Sequence, residues 1–213
     1  MAVKWEKTRV GADRKAREEA LRQTIILEAA EHVFADKGYG GASMEEIARA
    51  AQLSTGSLYN AFESKEELYR ALVSSRSEQL VAHIRGNISA ATAPGRLEKV
   101  IETLFHYFDE NRSFFLIYLD ATSGFPWHIK GTMGSATFQQ YQEVVKMVSD
   151  IFREGIARGE IAKADPAHLG VAFMGGLNGF ITHWISNSPG KPLVDLIPSA
   201  KSVLLRVTHE PAS

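Results

Sequence analysis

The chain has no cysteine and only 7 prolines among 213 residues. The missing cysteine excludes a disulfide framework, cysteine-based zinc sites and thiol nucleophiles, and it suits a reducing compartment. No stretch approaches the roughly 18 consecutive apolar residues that a membrane-spanning helix requires. The opening M-A-V-K-W-E-K-T-R-V carries charges with no apolar run behind them, so a secretory signal is not expected. A cytoplasmic location with no membrane partner follows as the expectation. A large charge excess is also missing: 24 Lys+Arg stand against 25 Asp+Glu, a net charge of −1. A non-specific nucleic-acid coat would need a basic excess, so that class is disfavoured. Only residues 1–22 depart locally, with seven cations against four acidic groups, and the rest of the first 70 residues cancels this.

Enzyme signatures are missing as well. The histidines (His32, His83, His106, His128, His168, His183, His209) include no H-x-x-x-H or H-E-x-x-H pair, so a helical zinc site lacks its spacing. Gly38-Tyr39-Gly40-Gly41 follows a helical pattern, not a strand, which excludes a phosphate loop or dinucleotide turn. Neither G-x-S-x-G nor a P-loop lysine motif occurs. No catalytic residue, metal site or cofactor is expected.

What is present is helical periodicity, with almost no strand signal. Ile26, Ala29, Ala30, Val33 and Phe34 follow i, i+3, i+4, i+7, i+8, and Lys37-Gly38 ends that segment. Ser43-Met44-Glu45-Glu46 and Ser64-Lys65-Glu66-Glu67 read as capping boxes opening two further helices. Residues 87–95 are small and polar and read as a loop, followed by an amphipathic helix from Leu97 to Phe108. A shorter apolar helix covers Asn111 to Asp120, and the Gly- and Pro-punctuated stretch 123–134 is a loop. Later helices are expected from Phe138 to Ile156, from Pro166 (capped by Asp165) to about Ser186, and from 192 to 208. The fold class is all-α with about nine helices. The division expected is 1–68 and 69–213.

Residues 43–62 hold two short helices and a tight turn, apolar at Ile47, Ala48, Ala51, Leu53, Leu58 and Phe62, as in a helix-turn-helix. The second helix opens on small polar groups, which a recognition helix needs for close approach to base edges and phosphates. Short helix pairs abound in all-α proteins, so this patterning alone is only moderately specific.

The match extends further. Across residues 23–69, A-A-x-x-x-F-x-x-K-G-Y, then S-M-x-x-I-A, then S-x-G-S-L-Y-x-x-F-x-S-K-E-x-L closely resemble, in order and spacing, the DNA-binding domain of the TetR family of transcriptional regulators. The resemblance implies a three-helix DNA-binding domain followed by a larger helical ligand-binding and dimerisation domain. It implies DNA contacts by Ser43, Ser54, Thr55, Gly56, Ser57, Tyr59, Asn60 and Lys65. Ser43 and Lys65 would hold phosphates. The basic arm before residue 22 either tracks the neighbouring DNA or is a solvated tail. The sequence departs from the pattern at Gln52, where members usually have Gly and where a positive φ would cost roughly 1 kcal/mol. It departs again at Thr55, where Lys is frequent.

The C-terminal half is rich in aromatics, which at helical spacing usually mean core. By the resemblance it holds an effector pocket, with Phe105, Phe108, Phe115, Tyr118, Tyr141, Phe173 and Met174 as expected walls. His106, Asn178 and His183 are the expected polar anchors, for an unidentified small hydrophobic or amphipathic effector. The last two helices are expected to form the interface of a homodimer. Gly175, Gly176, Gly179, Trp184, Leu196 and Leu204 are the candidate contacts, since glycines inside an apolar helix cost about 1 kcal/mol each unless close packing offsets it. A two-fold dimer fits a palindromic double-stranded operator with half-sites about 34–36 Å apart or a multiple of that. The functional expectation is a repressor released by its effector. The alternatives are a hydrophobic-ligand-binding protein with vestigial DNA affinity and a ligand-independent architectural DNA binder.

Overall fold

In the computed structural model, residues 2–122, 135–187 and 190–206 are described, with side chains from Arg14 onward and, in the first stretch, up to Tyr118. The expected loop at 123–134, with Phe125, Trp127 and His128, lies outside them, as does His209. Nine α-helices and one 3-10 turn occur among the described residues, and no strand does: α1 Ala2–Gly41, α2 Met44–Ala50, α3 Thr55–Tyr59, α4 Lys65–Asn87, α5 Ala93–Glu110, α6 Arg112–Thr122, α7 Ser135–Ala157, α8 Pro166–Asn187, the 3-10 turn Leu193–Leu196, and α9 Ile197–Leu204. The chain divides into two compact units, Met1–Leu72 and Val73–Ser213.

In the first unit, α1 runs back to Ala2, well before the expected start near residue 14. Residues 12–22 are mostly good helix formers, and Arg14 pairs with Glu18 one turn on at 3.5 Å. The helical path breaks at Gly38 (φ 68°, ψ 171°), a conformation open to glycine, before a last turn to Gly41. Ile26, Ala30 and Phe34 of α1 are buried with Ile47, Ala48, Leu58, Leu68 and Leu72. Tyr69 meets both Phe34 and Tyr39 edge-on, with ring centroids 4.9 Å apart in each case. This core fixes α2 and α3 against α1.

In the second unit α5 begins at Ala93, four residues before the expected periodic start. Thr92 Oγ1 accepts from the Gly95 amide at 3.2 Å, and Pro94 falls in the first turn, where its missing N–H costs nothing. The Glu160 carboxylate accepts from the Ala93 amide at 2.6 Å. Close packing brings α7 onto α8: a Cβ on Gly170 would lie 2.1 Å from Ser149 Oγ. The final helix is broken into the 3-10 turn and α9. The Asp109 carboxylate takes the amides of Leu193 (2.7 Å) and Val194 (2.9 Å), and Pro198 then starts the α-helix.

Candidate DNA-binding face and effector cavity

Local hydrogen bonding explains how the first unit sets out α2 and α3. At the start of α2, Ser43 Oγ accepts from the Glu46 amide (3.2 Å), and the Glu46 carboxylate accepts from the Ser43 amide (3.3 Å). Lys37 holds the other Glu46 oxygen at 2.5 Å. These contacts hold the Glu46 carboxyl below the ordinary value, with the Lys37 hydrogen bond the largest cause. α2 ends in a Schellman turn: the Leu53 amide reaches Ala48 O (2.8 Å) and the Gln52 amide reaches Arg49 O (3.1 Å). That turn requires a left-handed residue, and Gln52 supplies it at φ 57°.

Ser54 caps α3, accepting from the Ser57 amide at 3.1 Å and donating its hydroxyl to Ser57 Oγ at 2.9 Å. Gly56 and Asn60 are exposed, Tyr59 is 46% exposed, and Thr55 and Ser57 are half-buried. A Cβ added to Gly56 would meet nothing within 4 Å, so no internal packing demands glycine there. Arg22 donates to Ser57 O at 3.1 Å and so ties α1 to α3, a link the sequence reading missed. Its Nε is buried without a partner.

Lys65 is placed differently from the expected phosphate clamp. Its ammonium donates to Tyr39 O (2.6 Å) and Ala42 O (2.9 Å) and sits 4.5 Å from the Tyr39 ring centroid. Two carbonyls and an aromatic face occupy the charge, so Lys65 acts first as a tether from α4 to the end of α1. The second capping box is also altered. Ser64 Oγ accepts from the Glu67 amide (3.1 Å), but the Glu67 carboxylate takes the amide of Glu63 (2.7 Å), one residue before the cap.

The second unit contains a cavity of about 50 Å³. Ser77, Leu80, Val81 and Ile84 of α4, Leu104 and Phe108 of α5, Tyr118 of α6, Thr137, Gln140, Tyr141 and Val144 of α7, and Met174, Leu177, Asn178 and Ile181 of α8 line it. No charged side chain lies in this wall among the described residues. Burial raises the Tyr118 phenol, with Tyr141 adding to the effect, and burial raises Tyr141 too. Thr137 Oγ1, Gln140 Oε1 and Asn178 Nδ2 are buried without hydrogen-bond partners among the described residues.

Phe108, Tyr118, Tyr141, Met174 and Asn178, five of the expected pocket residues, therefore share this cavity. The others do not reach it. Phe105 is fully buried in core, Phe115 packs between Phe108 and Trp184, and Phe173 packs edge-on against Phe152. His106 and His183 are exposed, because each falls on the outward face of its helix. Sequence reasoning missed Thr137 and Gln140. The available signal was polar groups at 137 and 140 in register with Tyr141 and Val144, the i, i+3, i+4, i+7 stripe of an otherwise apolar face.

The expected dimer residues also separate. Trp184 is 1% exposed and donates its indole N–H to Lys191 O at 2.7 Å, so it is core. Gly176 is packed within the chain, its missing Cβ 2.4 Å from Leu204 Cδ2, which places both residues in an internal contact. Leu196 is half-buried. Gly175 and Gly179 are exposed with nothing within 4 Å, beside Val171 (58% exposed) on α8. No helix among the described residues is long and apolar enough to cross a membrane.

Residues 26–72 match the model of the family described as "Bacterial regulatory proteins, tetR family". The chain is 35% identical over 111 residues to the HTH-type transcriptional activator FasR of Mycolicibacterium smegmatis, a match covering 50% of each chain. This chain thus spans about half the length of that curated relative. It is 25% identical over 191 residues to the Fatty acid metabolism regulator protein of Bacillus subtilis, covering 86% of this chain and 94% of that one. Its fold is shared with the crystal structure of the transcriptional regulator FadR from Bacillus subtilis in complex with stearoyl-CoA (TM-score 0.74, 22% identity, 87% and 99% coverage). The family match over residues 26–72 and the all-helical fold agree, and this chain carries the helix-turn-helix domain of the TetR family of bacterial regulatory proteins.

Proposed function

We propose that this protein is a homodimeric, non-catalytic transcriptional regulator that binds a palindromic DNA operator through α3 and is released by an amphipathic effector held in the second unit. The observation that carries the DNA reading is the exposed first turn of α3. Gly56 there has no internal reason to be glycine, and close approach of an external surface supplies one. Thr55, Ser57, Tyr59 and Asn60 supply neutral hydrogen-bonding groups around it. Lys65 contributes indirectly, by fixing α4 against the end of α1.

The effector reading rests on a largely apolar, charge-free cavity with a few polar groups, the usual make-up of a small-molecule site. An uncharged wall disfavours burying a carboxylate. A fatty acyl thioester, with its chain inside and its charged head outside, meets that constraint, and the kinship with a fatty acid metabolism regulator supports the same class. At about 50 Å³ the cavity is too small for a long chain, so binding must push its walls apart. The wall includes Ser77, Leu80, Val81 and Ile84 of α4, the helix that begins at Lys65. Displacement of α4 by the effector is the proposed route to loss of operator affinity, and it requires only that the effector favour the displaced state. Val171, Gly175 and Gly179, exposed and small on one side of α8, support self-association there.

The test is fluorescence anisotropy against DNA flanking the protein's own gene, with scrambled DNA as control, for wild type and Gly56→Gln. Open space at Gly56 leaves the variant folded, while its side chain blocks approach to the groove. A loss of at least about tenfold in operator affinity, roughly 1.4 kcal/mol, is expected with the melting temperature unchanged or raised. Equal wild-type affinity for both DNAs, or an unaffected variant, would refute the reading.

A further inference from the structure

The cavity's polar groups specify more than an apolar chain. Gln140 Nε2 donates to Ser74 O at 3.2 Å. A carbonyl only accepts, so this contact fixes the amide orientation and leaves Oε1 a buried acceptor without a partner among the described residues. Asn178 Nδ2 is a buried donor without a partner, and Thr137 Oγ1, in a residue only 1% exposed, can play either role. An unsubstituted acyl chain would leave all three unanswered. A ketone would answer the donors but not Gln140, and a carboxylate would bring a charge that nothing in the wall neutralises. A hydroxyl both donates and accepts, the pair of roles that an acceptor such as Gln140 Oε1 and a donor such as Asn178 Nδ2 call for.

We propose that the cavity is specific for an apolar ligand bearing a hydroxyl group, with Thr137, Gln140 and Asn178 as its specificity-determining residues. This rests on the reading of the cavity as the effector site. Thr137 and Gln140 lie one turn apart on α7, and Asn178 presents from α8. The chain is thereby read at one point along its length, while Leu80, Val81 and Leu177 accept the remainder without discrimination.

The experiment is isothermal titration of the full chain with stearoyl-CoA, a positional series of monohydroxystearoyl-CoA isomers, and the corresponding oxo compounds. At least one hydroxy isomer is expected to bind about tenfold tighter than stearoyl-CoA, the scale of satisfying a buried orphan group. Its oxo counterpart should fall between the two. In Gln140→Leu and Asn178→Leu the preference should vanish while stearoyl-CoA binding is kept or improved. Asn178→Leu removes only an orphan polar group, so its melting temperature, measured alongside, should hold or rise, whereas Gln140→Leu also gives up the Ser74 hydrogen bond and should hold or fall by a few degrees. Stearoyl-CoA binding as tightly as every hydroxy isomer would overturn this inference alone and leave the acyl effector standing. A preference unaffected by both variants would overturn the residue assignment. Failure of every thioester to bind would remove the acyl-effector reading together with this one.

Discussion

Gln52→Gly should stabilise the protein, and the amount can be worked from the turn itself. Gln52 stands at φ 57°, where a Cβ crowds the backbone and an L-residue other than glycine pays about 1–2 kcal/mol. Both Schellman hydrogen bonds, Leu53 to Ala48 and Gln52 to Arg49, hold it there. Its side chain is exposed, so truncation removes little contact. Glycine returns part of the gain through its larger unfolded-state entropy, about 0.5–1 kcal/mol. The net expectation is about 0.5–1 kcal/mol of added stability, or roughly 1–4 °C for a chain of this size. Urea and thermal unfolding followed by circular dichroism would read it. Gln52→Ala is the control, since it removes the same side chain but keeps the Cβ, and it should be neutral within about 0.5 kcal/mol. Equal stabilisation by both substitutions, or destabilisation by glycine, would refute the backbone argument.

Lys65→Met should lose about 2 kcal/mol in chemical unfolding, through the two carbonyl contacts at Tyr39 and Ala42; unchanged stability with a collapse of DNA affinity would instead make Lys65 a phosphate ligand. Gly155→Ala should cost about 1–3 kcal/mol by overpacking, because a Cβ there falls 2.7 Å from Ala93 Cβ and 2.6 Å from Ile161 Cδ1. Gly175→Ala meets nothing in the chain, so it should stabilise an isolated chain by up to about 1 kcal/mol while weakening a dimer that packs there, measurable by sedentation-equilibrium ultracentrifugation. Acid titration should expose carboxylates held below their ordinary values, Glu102 and Asp150 among them. Glu102 is lowered mainly by Lys201 and then Lys99, and Asp150 by Lys146 and then Arg153. Their contribution is complete above the ordinary carboxylate value and is lost as pH falls through the folded one, so melting temperature should drop on the acid side. Lys201, raised chiefly by its hydrogen bond to Glu102, contributes below the ordinary lysine value and ceases to do so as pH rises through its folded one. A melting temperature flat across both limbs would contradict these assignments.

Much of the architecture was legible because local signals agreed with one another. The capping box at Ser43, the Asp165-Pro166 start of α8 and the apolar stripes of α5 and α7 all act within one turn of helix, where sequence spacing equals spatial neighbourhood. Signals that depend on distant partners were not legible. Lys65 carries the same residue type whether it holds a phosphate or the carbonyls of Tyr39 and Ala42, and only the return of α1 past Gly38 decides between them. Phe105 and Phe108 lie on one helix three residues apart, yet only Phe108 meets the cavity while Phe105 is fully buried in core. Among the α8 glycines, Gly170 and Gly176 are consumed by Ser149 and Leu204 of the same chain, while Gly175 and Gly179 are not. Thr137 and Gln140 were hidden for a related reason: a polar residue on an apolar stripe reads as an imperfection until the cavity shows that its atoms lack partners.

The most direct test of the central claim is a titration of the preformed protein–operator complex with stearoyl-CoA and the monohydroxystearoyl-CoA series, following DNA release by anisotropy and ligand occupancy by calorimetry on the same preparation. Saturable release that tracks occupancy is expected, with the tightest-binding thioester releasing at the lowest concentration. Full occupancy of the cavity with operator affinity unchanged would contradict it.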